Sequence, residues 1–132
     1  MVFRYTKISQ NCRILIHIRY QSDMDLKTPV ITKTLFVVDK APDKTDRNAV
    51  SNQINRIKGQ NIVTIYIHDE GVRWLMAENW NTIYHANEDI IYYANADDAH
   101  KFGVPMQQGI ILSNPKTLYQ LIHWADQIYY LS

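Results

Sequence analysis

Cysteine is almost missing from this sequence. Cys12 is the only one, so no disulfide forms within the chain. A lone thiol fits a reducing compartment, and the expected location is cytoplasmic. Glycine is scarce too: with four in 132 residues, neither a GxGxxG nor a Walker phosphate loop occurs. No Cys/His pair stands at zinc spacing, so neither a metal nor another cofactor is expected. Long apolar runs are lacking as well. None approaches the ~18 residues of a membrane-spanning helix, and the early apolar stretch is broken by His17 and Arg19, unlike a signal-peptide core. Nor does one sign of charge dominate. Lys+Arg 14 against Asp+Glu 13 gives a formal +1, which argues against direct nucleic-acid binding and against a pull toward membranes.

What is present suits one α/β domain over residues 1–132, with 46% hydrophobic and 20% charged residues. "RILIHIRY" (13–20) alternates with period two and reads as a strand near a sheet edge. "ITKTLFVVD" (31–39) and "NIVTIYIHDEG" (61–71) are apolar on both faces, as in parallel sheets covered by helices. Between them, Val50, Ile54 and Ile57 place an apolar stripe on a helix within 41–59. Asp43 or Thr45 would cap its start and Gly59 would take a left-handed cap. "VRWLMAENW" (72–80) reads as a short helix, "DIIYY" (89–93) as a third core strand and "ADDAHKFG" (96–103) as a helix closed by Gly103. "GIIL" (109–112) is a brief strand. Over 113–127, Asn114 caps a helix with Pro115 in its first position and Leu118, Leu121, Ile122 and Ala125 on its buried face. "QIYYL" (127–131) closes the chain as a strand. Strands alternating with helices predict a mostly parallel sheet with helices on both faces.

The stretches "HDEGV" (68–72), "IYYANADDAHKFGV" (91–104) and "GIILSNPKTLYQLIHWADQIYYL" (109–131) follow in an order that resembles the DsrE/DsrF/DsrH and TusB/TusC/TusD sulfur-relay superfamily. The likeness covers about residues 33–131 and rests on Gly71-Val72, Gly103-Val104 and Ala125-Asp126. It implies a three-layer DsrE-like fold with a five-stranded, mostly parallel sheet. Residues 1–30 have no counterpart and read as an extension with an added strand. In relay members the persulfide-carrying cysteine stands eight residues before the glycine matched by Gly103, a position that here holds Asn95. A carboxamide cannot carry sulfane sulfur, because that chemistry requires an ionisable thiol. Cys12 lies before the first expected strand and does not replace it. The closest likeness in character is therefore to the cysteine-lacking TusB-type subunits. What it implies is a non-catalytic subunit in a homo- or hetero-oligomer with DsrE-like partners, in a sulfur-relay or tRNA 2-thiolation type of complex.

A different class of function is open beside it. Open α/β sheets place ligand crevices over the carboxyl ends of their strands, where Asp39, His68, Asp69, Glu70, Asn95 and Asp98 fall. His68 with Asp69 or Glu70 forms either a base oriented by a carboxylate or a pair of metal ligands. Strand alternation forbids aiming all three inward, so a solvated loop is the plainer reading. Asp97 and His100 stand one helical turn apart, but negative charge in a first turn is ordinarily there for the helix dipole. Trp74, Trp80, Tyr84 and Met76 make either core or an association surface. RNA stacking on them would lack a basic stripe. His17, His85 and His123 are scattered singly and read as surface or packing residues.

Overall fold

Apolar residues at successive positions of a strand need cover on both sides, and Leu35–Val38 and Val63–Ile67 are buried throughout. A computed structural model of the chain describes residues 2–9, 12–18, 31–44, 47–59, 61–84 and 89–131, the two N-terminal segments by their backbone. Its strands are β1 (Val2–Ser9), β2 (Cys12–Ile18), β3 (Thr32–Val38), β4 (Asn61–Ile67), β5 (Ile90–Asn95), β6 (Ile110–Ser113) and β7 (Gln127–Leu131). The helices are α1 (Arg47–Lys58), α2 (Ala77–Ile83), α3 (Ala96–Lys101) and α4 (Pro115–Trp124), with 3-10 turns at Pro42–Lys44 and Asp69–Leu75.

The sheet runs β1-β2-β7-β3-β4-β5-β6. From β7 to β6 every neighbouring pair is parallel, which gives the five-stranded parallel α/β core expected. β7 returns to lie beside β3. Asp126 fixes that return: its N–H donates to the Lys33 carbonyl (2.8 Å) and its Oδ2 accepts from the Lys33 N–H (3.0 Å). The N-terminal extension contributes two strands rather than one. β1 pairs antiparallel with β2, and β2 meets β7 antiparallel at Arg13–Tyr130. Arg4, Thr6 and Lys7 dilute the alternation of β1, which hides it in the sequence. Cys12 opens β2 instead of preceding the first strand.

The two faces of the sheet are covered unequally. Phe36, Val38, Val63, Ile65, Ile67 and Tyr92 pack against α1, the 3-10 turn at Asp69–Leu75 and α2. The stripe Val50, Ile54 and Ile57 is buried there as its spacing predicts. On the other face Leu35, Val37, Tyr66 and Ile128 pack against residues of α4 and the segment just after it. Among the described residues no position within α4 is fully buried. Ala125 just beyond it is, but Leu118, Leu121 and Ile122 are only partly covered, which corrects the buried face expected of them. The register places Ile91 and Ile111 on that same face, and both stay exposed.

Local signals are kept in part. α1 begins at Arg47 rather than near 41, with Asp43 in the preceding 3-10 turn and Thr45 outside the described residues. Gly59 does not take the left-handed cap; among the described glycines only Gly103 (φ 60°) and Gly109 (φ 89°) have positive φ. Gly103 closes α3 as expected. The segment read as a helix over 72–80 divides into a 3-10 turn and α2.

Gly71 explains where the 3-10 turn lies. A Cβ there would stand 2.3 Å from the Val38 carbonyl oxygen and 2.8 Å from its carbon. Only glycine lets this turn rest against the end of β3. Gly71→Ala is expected to lower the unfolding free energy by about 2–3 kcal/mol in urea titration, since backbone must move to admit the methyl. Gly59→Ala, where a Cβ meets nothing within 4 Å, is expected to change it by less than about 1 kcal/mol.

Candidate functional site

At the carboxyl end of β4 the chain leaves strand geometry with an extended His68 (φ −147°, ψ 176°). Asp69 then turns sharply with φ 51°, in the left-handed region that a non-glycine residue rarely occupies. That turn folds the Asp69 carboxylate back onto its own neighbour. Its Oδ2 lies 3.2 Å from His68 Nδ1. The Asp69 N–H donates to Asp98 Oδ2 at 2.7 Å, tying this corner to α3. Asp98 is itself set by Asn95, whose Oδ1 accepts from the Asp98 N–H at 3.0 Å. Asn95 is the last residue of β5 and the N-cap of α3, and it is buried.

On the other side of His68, Nε2 lies 3.4 Å from the Tyr130 hydroxyl on β7. Asp39, just past β3, completes the group. Its Oδ1 is buried without a hydrogen-bond partner among the described residues. Burial pushes the Asp39 carboxyl above the usual carboxylate range, against the pull of Lys40, His68 and the Tyr130 hydroxyl. Tyr130 is pushed up to about 12 by burial and by the negative charge and hydrogen bonding of Asp39, with Asp69 adding to it. Tyr130 therefore keeps its proton at neutral pH.

The Tyr130 hydroxyl stands between two partners, the Asp39 carboxyl, to which it donates, and His68 Nε2, while Nδ1 on the other side of the ring faces Asp69 Oδ2. The tautomer of His68 sets which ring nitrogen donates. A histidine oriented by a carboxylate and paired with a phenol is equipped to bind a polar ligand or to move a proton. The same corner offers a donor set for a divalent ion: one atom each from His68, Asp69 and Asp98 lie within 4.8 Å of one another.

Of the residues singled out in the sequence, Asp39, His68, Asp69, Asn95 and Asp98 meet at one end of the sheet. Glu70 is half-buried at the next position of the 3-10 turn. The objection from strand alternation does not apply, because the strand ends at Ile67 and the backbone reverses at Asp69. The solvated-loop reading holds for Asp69 at 64% exposure but not for His68 at 16%. Asp97 and His100 are both exposed in α3. No local pattern in the sequence points to Tyr130. Its signal is the return of β7 beside β3, in register with Val37, which no local pattern encodes. Trp74 and Trp80 belong to the core, Tyr84 stacks on Trp80 (centroids 5.0 Å apart), and Met76 is exposed. His123 is exposed on α4, while His85 and the side chain of His17 lie outside the described residues.

No family model matches the chain, and no curated protein matches it in sequence. Among the described residues no helix is long and apolar enough to cross a membrane. Fold and site together define an α/β protein with a parallel sheet and a cluster of titratable side chains over its carboxyl ends.

The raised Asp39 pKa has a defined sign in stability. Folded Asp39 holds its proton more tightly than unfolded, so its contribution is full below about pH 4 and lost as pH rises through the raised folded value. Asp39→Asn is thus expected to raise the urea midpoint at about pH 7, with the gain shrinking toward about pH 3. Tyr130 likewise stabilises fully below about pH 10 and loses that contribution as pH approaches about 12. Tyr130→Phe is expected to flatten the alkaline limb of the stability profile measured by circular dichroism.

Proposed function

We propose that this chain is a DsrE-like subunit that acts by association and carries no sulfur itself, within a sulfur-relay or tRNA 2-thiolation type of complex. The observation that carries the reading is Asn95. It occupies the strand-to-helix corner between β5 and α3, and its side-chain oxygen is committed to the Asp98 N–H. A capping amide at that corner offers no nucleophile, so the chain's part is to complete an oligomer with DsrE-like subunits and shape the neighbour's reactive pocket. The five-stranded parallel sheet and the exposed Ile91 and Ile111 support it.

A second reading, a small-molecule-binding protein or enzyme working from the strand ends, is favoured by one observation. His68 is largely covered and flanked by Asp69 and Tyr130, with Asp39 beside them. Here His68 is the base, Asp69 orients it and Tyr130 donates a hydrogen bond.

The two readings separate by experiment. Purified chain incubated with a radiolabelled persulfide donor is expected to retain no more label than its Cys12→Ser variant; label that depends on Cys12 overturns the non-carrier reading. Native mass spectrometry of the protein isolated from its own cells is expected to show a hetero-oligomer with a DsrE-like, cysteine-bearing subunit. A self-assembled species holding a small metabolite, lost in His68→Ala, would establish the second reading instead.

A further inference from the structure

Away from the His68 group, a cleft of about 390 Å³ opens between the start of α1, the 3-10 turn at Asp69–Leu75, α2 and the segment after α3. That volume lies in the range of small-ligand sites, about 300–1,000 Å³. Two guanidinium groups line it. Arg47 is the first residue of α1, and its Nε donates to Asn79 Oδ1 at 3.0 Å. Asn79 in turn donates to the Arg73 carbonyl at 3.4 Å, so one amide sets both arginine-bearing elements. The Arg73 guanidinium lies over the Phe102 ring, 5.2 Å from its centroid, which holds a flexible side chain in place. Among the described residues neither guanidinium is paired with a carboxylate.

The remaining wall is apolar. Met76 is 48% exposed and stands with Phe102 and Val104 around the same space. Asp43 is the one acidic lining residue, so two arginines against one aspartate leave a net formal charge of +1. Planar, donor-rich guanidiniums match the geometry of carboxylate and phosphate oxygens.

We propose that this cleft binds a small anion in which a carboxylate or a phosphate monoester is carried on an apolar, preferably aromatic, body. Arg47 and Arg73 hold the oxyanion, and Met76, Phe102 and Val104 take the body. Asp43 disfavours a second negative charge, so the carboxylate is expected to bind more tightly than the phosphate. The site is independent of the association reading and of the His68 group.

The test is a titration of the full chain, followed by amide chemical shifts at low ionic strength, with phenylacetate, phenyl phosphate, inorganic phosphate and benzyl alcohol. Saturable binding of phenylacetate is expected, with shifts centred on Arg47, Asn79 and Phe102, while benzyl alcohol gives none. Tighter binding of phenyl phosphate would assign the site to phosphate esters, whereas equal binding of inorganic phosphate would remove the role of the apolar wall and overturn the proposal. Arg47→Ala and Arg73→Ala are each expected to weaken the aromatic anion about tenfold, and Arg73→Lys less, because charge survives but the planar fork does not. Both arginines are exposed, and unchanged melting will show that the variants fold. Absence of saturable binding by either aromatic anion, equal binding of benzyl alcohol, or affinity indifferent to both alanine variants overturns the site.

Discussion

The carbonyl of Val38 is the fastening on which this end of the molecule depends. It accepts the His68 N–H at 3.0 Å, and the Cα of Gly71 rests so close that no methyl fits between them. The end of β4 is thereby held against the end of β3, and the chain must turn at Asp69 in a conformation that other residues avoid. From that turn follow the Asp69 carboxylate against His68, the link through Asp98 to α3, and the position of Arg73 over Phe102. Trp74 reinforces the same junction by donating from its indole to the Lys40 carbonyl at 3.0 Å. Two separate groups of polar side chains thus share one backbone contact.

Much of the fold could be read from residue order because each parallel strand is apolar on both faces and each long helix bears its own signal. Val50, Ile54 and Ile57 disclose α1, and Asn114 with Pro115 discloses the start of α4. What stayed hidden was whatever depends on distant pairing. The strand β1 mixes charge into both faces of its sequence pattern, and among the described residues the α4 side of the sheet is packed by α4 and the segment just after it alone. The candidate site divides in the same way. Asp39, His68, Asp69, Asn95 and Asp98 sit at predicted strand ends, where topology alone brings them together. Tyr130 joins them only because β7 lies next to β3, and the pairing of adjacent His68 and Asp69 needs a backbone reversal that no residue pattern announces.

Asn95 both ends β5 and caps α3. An amide at the end of a buried strand is well suited to capping, since its oxygen takes up a helix N–H that would otherwise go unsatisfied. The same use removes it from chemistry. One strand over, at the His68 corner, burial raises the pKa of Asp39, and burial together with the negative charge of Asp39 raises that of Tyr130. Such perturbed groups gather where function is served more than stability.

The return of the last strand into the middle of the sheet also sets an order of events. β7 lies between the N-terminal pair and β3, and the Gln127 side chain bonds Thr34 across 93 positions of sequence. Closing so large a loop is slow compared with local helix formation. Until β7 pairs with it, β3 is an open edge and His68 lacks its phenol neighbour. The His68 centre is thus completed by the same long-range closure that completes the sheet, and no local element can form it alone.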